Sequence, residues 1–145
     1  MLTLHRRELE VDTRGRGFHP LTGVLAEVVG ESGVLSGLAQ VFVHHTSASL
    51  ALTENADPDV LADLETILGR VAPDGDRALR HSAEGPDDMP AHARSVLTGA
   101  TLTIPVARGD ADLGTWQGVF LWEHRHRPHR RRITITVMGE RETSE

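Results

Sequence analysis

The chain has 145 residues, a formal net charge of −6 and no cysteine. This length fits one domain, residues 1–145, which buries roughly 70% of its unfolded surface and folds without disulfides. The missing cysteines exclude thiolate metal sites and cysteine nucleophiles, and they fit a reducing compartment. The excess of acidic residues argues against nucleic-acid binding. No segment approaches the roughly 18 consecutive apolar residues that a membrane span needs. The charged amino terminus is unlike a signal peptide. We therefore expect a cytoplasmic protein that binds neither nucleic acid nor membrane.

The groups left for chemistry are imidazoles, carboxylates and guanidinium groups. The chain contains nine histidines and 21 acidic residues, and all 15 of its basic residues are arginines. Histidine is the side chain whose charge changes near neutral pH. Arginine suits bidentate binding of carboxylate or phosphate, and genome composition is the alternative reason for the absence of lysine.

The first part of the chain predicts a strand over residues 2–11, a turn over 13–17 and a short helix over 20–29. A strand follows over 38–45. It is apolar on both of its alternating faces, which is typical of a strand buried on both sides. A second short strand is predicted over 49–53.

The second half begins with a well-marked helix over 58–71. Asp57 is its predicted cap, Pro58 occupies the favoured first position, and apolar residues recur at helical spacing. A loop over 73–88 lacks such periodicity, a feature that is more often functional than structural. Pro90 opens another helix, capped by Asp88, and three strands follow over 101–107, 119–126 and 132–137. This order predicts an α+β fold, a mainly antiparallel, sandwich-like sheet with two to three helices.

Polar residues interrupt the apolar segment 41–60. Adjacent strand residues point to opposite faces, so His44 and His45 cannot serve one site from a regular strand. His45 ends the strand, where a packed scaffold would hold a ligand or a base; a histidine bonded to a backbone carbonyl is the alternative. Glu54 ends the next apolar strand and is a candidate general base or metal ligand. Three small polar residues complete the candidate site: Thr46, Ser47 and Asn55.

The segment Glu84-Gly-Pro-Asp-Asp-Met-Pro-Ala-His92 carries a second polar group. Asp88 and His92 share one face if the helix starts at Asp88. A carboxylate placed one turn from a histidine orients its imidazole, as in many metal sites. Together, His45, His81 and His92 match a zinc-type site with one open position. No compact spacing motif links them, so unrelated structural histidines are the alternative.

Two further groups lie in the last third of the chain. Glycines flank Trp116 and Gln117, and this predicts a tight loop that stacks on a planar ligand; a tryptophan that closes the domain edge or a subunit contact is the alternative. Glu123 is costly to bury without a partner. Arg125 lies on the same strand face and is the predicted partner, forming part of an anionic-substrate site. The residues beyond Pro128 predict a solvated strand end.

Several of these motifs resemble the YjbQ-like family of small proteins. They are HTSASLALTENADPDV, DLE at 63–65, EGPDDMPAH, LTIPV at 102–106, GTWQGVFLWEHR and PHRRR. The resemblance implies an α+β sandwich assembled as a homotrimer, with a divalent metal held by His45, His81 and His92. It also implies a secondary thiamine-phosphate synthase activity, which joins hydroxymethylpyrimidine diphosphate to a thiazole phosphate and releases pyrophosphate.

We therefore expect a metal-assisted enzyme that acts on a small phosphorylated metabolite. The metal, zinc by its ligands, would neutralise charge on the substrate. The residues expected to perform the chemistry are His45, Glu54, Asp88 and Glu123. The residues expected to contact the substrate are Thr46, Ser47, Asn55, Trp116, Gln117 and Arg125. The alternatives are a metal-dependent hydrolase of a small phosphorylated metabolite and a non-catalytic trimeric ligand-binding protein.

Overall fold

The computed structural model describes residues 1–141, and the last four residues of the predicted domain lie outside that range. The strands are β1 (Leu2–Asp12), β2 (Gly17–Pro20), β3 (Ser36–Val43), β4 (Ala48–Glu54), β5 (Thr101–Ala107), β6 (Asp110–Ala111), β7 (Gln117–Glu123) and β8 (Arg130–Glu140). The helices are α1 (Thr22–Ser32), α2 (Pro58–Val71) and α3 (Asp88–Thr98). The predicted α+β class is confirmed.

The strands form two antiparallel sheets. The larger sheet has the order β1-β8-β3-β5-β6, and the smaller has the order β2-β7-β4. Apolar side chains from both sheets and from α1 form one core, with Leu25, Val41, Leu121 and Ile135 among its fully buried members. Alternation places the strand residues of this core on the inner face of each strand, as the period of two requires.

The strand β8 lies between β1 and β3 and pairs with both. Its inner face carries Ile133, Ile135 and Val137, which are fully buried. The sequence predicted this alternation, although the strand is longer than expected at both ends. The two short strands β2 and β6 were not predicted, because neither is long enough to show a pattern.

The prediction that β3 is buried on both faces is wrong within a single chain. Its inner residues are buried, but Leu38 and Phe42 on the outer face are 46% and 40% exposed. The apolar outer face therefore has no cover from the described part of the same chain.

The helix α2 has the predicted bounds, and Asp57 caps it through a hydrogen bond that the backbone N–H of Asp59 donates (2.9 Å). The helix α3 begins two residues before Pro90, so Asp88 is its first residue and not its cap. Asp88 and His92 therefore lie one turn apart on the same helix, as expected for this start. Within residues 1–141, no helix is long and apolar enough to cross a membrane.

Candidate metal centre

The donor atoms of His81, Asp88 and His92 converge at the start of α3. One ligand atom from each residue lies within 4.8 Å of the other two. The Oδ2 atom of Asp88 lies 2.6 Å from His81 Nε2 and 3.1 Å from His92 Nε2. Asp88 is buried, whereas both histidines are partly exposed. The cluster is able to hold a metal ion and is open to solvent on the histidine side.

Helix geometry and a fastened loop position these three groups. Asp88 and His92 are related by one turn of α3. His81 lies in the segment between α2 and α3, which is closed on itself by a hydrogen bond from Gly75 N–H to the Pro86 carbonyl (3.1 Å). Asp74, at the start of that segment, accepts two hydrogen bonds from Arg16 (2.8 and 3.0 Å). His81 is therefore held on a structured loop.

The two ring nitrogens of His92 have different partners. Nδ1 lies 2.9 Å from the carbonyl oxygen of Thr46, which accepts hydrogen bonds only, so Nδ1 carries the proton. In the neutral ring, Nε2 then presents a lone pair to the Asp88 carboxylate, which also accepts only. Two lone pairs that face each other repel, and either a second proton on His92 or a metal ion removes that repulsion. A histidine whose other N–H is held by a backbone carbonyl is the usual arrangement of a metal ligand.

Asp88 is ionised because Arg125 and the histidines offset the cost of burying its charge. Burial alone raises the pKa of Asp88, but the hydrogen bond with His81 and the charge of Arg125 outweigh it, and the pKa lies below its usual value. Arg125 Nη1 donates to Asp88 Oδ1 (2.7 Å), which leaves Oδ2 for the histidines. Arg125 also donates to Asp87 Oδ2 (3.1 Å) and to the Glu84 carbonyl (3.0 Å). It therefore orders the acidic end of α3.

His45 is not part of this cluster. Its Nε2 accepts a hydrogen bond from the backbone N–H of Arg132 (2.7 Å). Burial, followed by the charge of Arg131, lowers the pKa of His45 below its usual value. His45 and His92 instead both line an open groove of about 460 Å³. In the structure, Asp88 occupies the place among the ligands that we had predicted for His45.

Glu123 pairs with Arg131, so the prediction that it pairs with Arg125 is wrong. Arg131 Nε donates to Glu123 Oε1 (2.9 Å), and Thr13 donates to the same oxygen (2.7 Å). Burial alone raises the pKa of Glu123, but these hydrogen bonds outweigh it, and the pKa lies below its usual value. Arg131 also donates to Ser47 Oγ (3.0 Å). Glu123 is fully buried, so a solvent-borne ligand does not reach it.

The remaining predicted residues lie at the far end of the smaller sheet. Glu54 pairs in register with Gln117, whereas Ala48 pairs with Glu123 at the other end. Six residues of strand separate these ends by about 20 Å. Asn55 donates to the Gln117 carbonyl (3.2 Å), and the Gln117 side chain accepts from the Gly114 N–H (2.8 Å). Both amides thus shape the turn that leaves Trp116 64% exposed.

Sequence reasoning missed the buried arginines. Arg131 shares the parity of Ile133 and Ile135 in β8, and this alternation was the available signal that its side chain points inward. Arg94 is 2% exposed and donates to Glu65, which also accepts from the Trp122 indole (2.7 Å). For Arg94 no pattern in the sequence signalled an ion pair, because its partner comes from another helix.

The fold and the cluster define a small α+β protein with a solvent-accessible group of two histidines and one aspartate. A family model described as "UPF0047 protein YjbQ-like" matches residues 7–140. The chain therefore belongs to the YjbQ-like UPF0047 family.

Relatives and solved structures agree with this assignment. A UPF0047 protein of a Synechocystis strain is 52% identical, over 94% of this chain and 92% of its own length. The YjbQ protein of Salmonella typhimurium is 42% identical, over 94% and 99%. A YbjQ-like protein of unknown function from Sulfolobus solfataricus matches in structure with a TM-score of 0.88 at 25% identity, over 97% of this chain and all of that one.

The expected function is wrong. We expected a metal-assisted enzyme acting on a phosphorylated metabolite, with thiamine-phosphate synthase activity. The relatives are named only as UPF0047 or YjbQ-like proteins, and the Sulfolobus protein is described as one of unknown function. No synthase and no other enzyme is named among these relatives, so family membership assigns no reaction to this chain.

Proposed function

We propose that this protein binds one divalent transition-metal ion, zinc, through His81, Asp88 and His92. The observation that carries the proposal is the approach of His92 Nε2 to Asp88 Oδ2, 3.1 Å, while Nδ1 of the same ring faces the Thr46 carbonyl. The ring has one proton in its neutral form, and the carbonyl holds it. A metal ion satisfies both the free nitrogen lone pair and the carboxylate charge.

The donor set favours zinc among the common divalent ions. Magnesium and calcium prefer oxygen ligands alone, whereas zinc accepts two imidazoles and one carboxylate. Three protein ligands leave one tetrahedral position open. Both histidines are partly exposed, 44% and 31% for their side chains, so the open position takes water or an external ligand.

The competing arrangement is a second proton on His92, which makes a partly exposed ion pair with the buried Asp88. The two arrangements differ in composition, so metal analysis separates them. We expect purified protein dialysed against zinc to retain about one ion per chain. The double variant His81→Ala/His92→Ala is expected to retain almost none, because a single carboxylate remains.

His44→Ala is the matched control, since His44 is exposed and, among the described residues, its imidazole hydrogen-bonds only to Thr134 (2.7 Å). It is expected to bind zinc as the unaltered protein does. Absence of zinc from the unaltered protein after dialysis would reject the proposal. Equal zinc in the double variant would move the ion to another site.

We also propose that the protein is a homotrimer. The support is the uncovered outer face of the larger sheet, where Leu4, Met138 and Leu38 lie in one row across three neighbouring strands. Their exposed fractions are 65%, 38% and 46%. A contiguous apolar surface of this kind marks a contact site in soluble proteins.

We propose, separately, that the protein is located in the cytoplasm, because a chain without cysteine suits a reducing compartment.

A further inference from the structure

Arg125 contacts both of the segments that supply the proposed metal ligands. Its Nη1 donates to Asp88 Oδ1 on α3 (2.7 Å), and its Nη2 donates to the Glu84 carbonyl on the loop between α2 and α3 (3.0 Å). Its Nε donates to Asp87 Oδ2 (3.1 Å). The Arg125 side chain is only 12% exposed. Its guanidinium group is therefore fixed by partners that belong to the metal cluster and to the loop beside it.

The Asp88 carboxylate divides its two oxygens between different partners. Oδ1 accepts from Arg125 (2.7 Å). Oδ2 faces Nε2 of His81 (2.6 Å) and Nε2 of His92 (3.1 Å). Arginine stays protonated in proteins, so its positive charge repels a metal ion from Oδ1. A metal ion between the two imidazoles then binds one oxygen of Asp88 and not both.

The same guanidinium group joins the loop of His81 to α3. The Glu84 carbonyl that it holds lies in a turn, which is closed by a hydrogen bond from the Gly85 N–H to the Ser82 carbonyl (3.3 Å). Ser82 directly follows His81 in the chain. Arg125 therefore fixes the loop close to one metal ligand while it also contacts the ligand at the start of the helix.

Asp87 offsets the positive charge that Arg125 brings near the proposed ion. A cation beside a metal site weakens metal binding by repulsion. Asp87 is buried, and its Oδ2 accepts from Arg125 Nε and from the backbone N–H of His126 (2.9 Å). Because these two charges offset each other, the negative charge of Asp88 remains for the metal, and Arg125 contributes geometry.

We propose that Arg125 is the positioning residue of the metal centre: it limits Asp88 to one coordinating oxygen and holds the loop of His81 against α3. This inference rests on the proposed metal site. It adds the coordination of the ion, which has two imidazole nitrogens, one carboxylate oxygen and one position for water. Four ligands are the usual coordination of zinc in proteins.

Cobalt(II) in place of zinc is a visible probe of this coordination, because four-coordinate cobalt absorbs visible light much more strongly than five- or six-coordinate cobalt. The cobalt-loaded unaltered protein is expected to give the strong, four-coordinate spectrum. Arg125→Gln frees Oδ1 of Asp88, so the carboxylate is able to bind through both oxygens, and the absorption is expected to weaken. Competition with a chromophoric chelator is expected to show zinc binding about 10–100-fold weaker in this variant, as for other residues that orient metal ligands.

Arg94→Gln is the matched control. Arg94 lies on α3, is 2% exposed and pairs with Glu65. Within residues 1–141 its side chain hydrogen-bonds to none of the three metal ligands. The control removes a more deeply buried ion pair from the same helix, and it is expected to keep the zinc affinity and the cobalt spectrum of the unaltered protein. Circular dichroism checks that each variant is folded.

A weak, five- or six-coordinate cobalt spectrum of the unaltered protein would overturn the inference, and this measurement needs no variant. So would an unchanged cobalt spectrum in Arg125→Gln. An equal loss of zinc affinity in Arg125→Gln and Arg94→Gln would also overturn it, since a general loss of structure would then be the cause.

Metal uptake by the unaltered protein is measured first and separates the two proposals. A protein that takes up neither zinc nor cobalt rejects the metal site together with the role of Arg125. Uptake that is accompanied by the same cobalt spectrum in Arg125→Gln rejects the role of Arg125 alone.

Discussion

His124 is a fully buried histidine that stays neutral in the folded protein. Its Nε2 lies 2.8 Å from Ser49 Oγ, and Nδ1 has no hydrogen-bond partner within residues 1–141. Burial, followed by the positive charges of Arg94 and Arg16, lowers its pKa from 6.5 to about 3. Between pH 6.5 and about pH 3, His124 binds a proton in the unfolded chain but not in the folded chain. The contribution of His124 to stability is therefore complete above pH 6.5 and falls as the pH drops.

We predict that His124→Gln reduces the pH dependence of the unfolding free energy. Between pH 6 and pH 5 the unaltered protein should lose about 1 kcal/mol more stability than the variant, as expected for one proton taken up on unfolding. Urea unfolding at each pH measures the difference. The control, His44→Gln, changes an exposed histidine and should keep the slope of the unaltered protein. Parallel slopes for His124→Gln and the unaltered protein would contradict the prediction.

At the scale of single residues, the sequence identified the groups but not all of their partners. Asp88 and His92 were paired correctly, because both lie in one helix and helical spacing is local. Glu123 was recognised as a carboxylate that needs a partner, yet Arg125 was predicted as that partner, and Arg131, now 4% exposed, was predicted to lie on a solvated strand end. The true partner lies on a neighbouring part of the chain that meets β7 only after the sheets have packed, and this meeting leaves no local signature.

The helix α2 has a different kind of attachment from the rest of the fold. None of its side chains is fully buried, although apolar residues recur along it at helical spacing. Glu65 fastens it by accepting hydrogen bonds from Arg94 and from the Trp122 indole. A helix whose apolar side chains are at most partly buried, and which is fixed by hydrogen bonds at Glu65, opens at low free-energy cost.

We predict that Glu65→Ala increases hydrogen exchange across residues 58–71. The variant removes the hydrogen bonds that Glu65 accepts, and it leaves Arg94, which is 2% exposed, without its partner. Loss of one partner of such a pair costs about 3–5 kcal/mol when both charges are buried, and less here because the Glu65 side chain is 28% exposed. Asp63→Ala, an exposed acidic residue of the same helix, is the control. Exchange that stays unchanged in Glu65→Ala would contradict this account of α2.

At the scale of elements, the sequence predicted the bounds of a helix where the residues at its ends determine them. The bounds of α2 follow from Asp57 and Pro58, and both predictions are confirmed. How deeply its apolar stripe is buried depends on the tertiary packing, which the spacing of the residues does not report. The same limit applies to β3, whose apolar outer face predicted burial that one chain does not provide.

At the scale of the whole molecule, the outer face of the larger sheet allows a direct test of assembly. We predict that Phe42→Glu converts the proposed trimer into monomers, because it places an unpaired charge where Phe42 is now 40% exposed. Light scattering coupled to size-exclusion chromatography measures the mass. Leu52→Glu is the matched control, with 38% exposure on the other sheet. A monomeric unaltered protein, or a trimer that persists in Phe42→Glu, would contradict the assembly proposal.

The predicted site residues are divided between two ends of the molecule. Thr46 contacts the metal cluster through its carbonyl group, whereas Glu54, Asn55 and Trp116 lie about 20 Å away along the smaller sheet. Glu54 and Asn55 are close in sequence to His44 and His45, and this proximity suggested one site. An extended strand between them separates them, so closeness in sequence is a poor guide when the connecting segment is straight.

The position of β8 also bears on how the protein is made. Both neighbours of this strand, β1 and β3, are synthesised long before it, and β8 is the last of the strands described within residues 1–141. Until β8 is made, β1 has no partner in the sheet, and the inner face of β3 lacks Ile133 and Ile135. The larger sheet therefore forms only after β8 has been synthesised, and its longest-range pairing, Leu2 with Glu140, closes nearly the full length of the described chain.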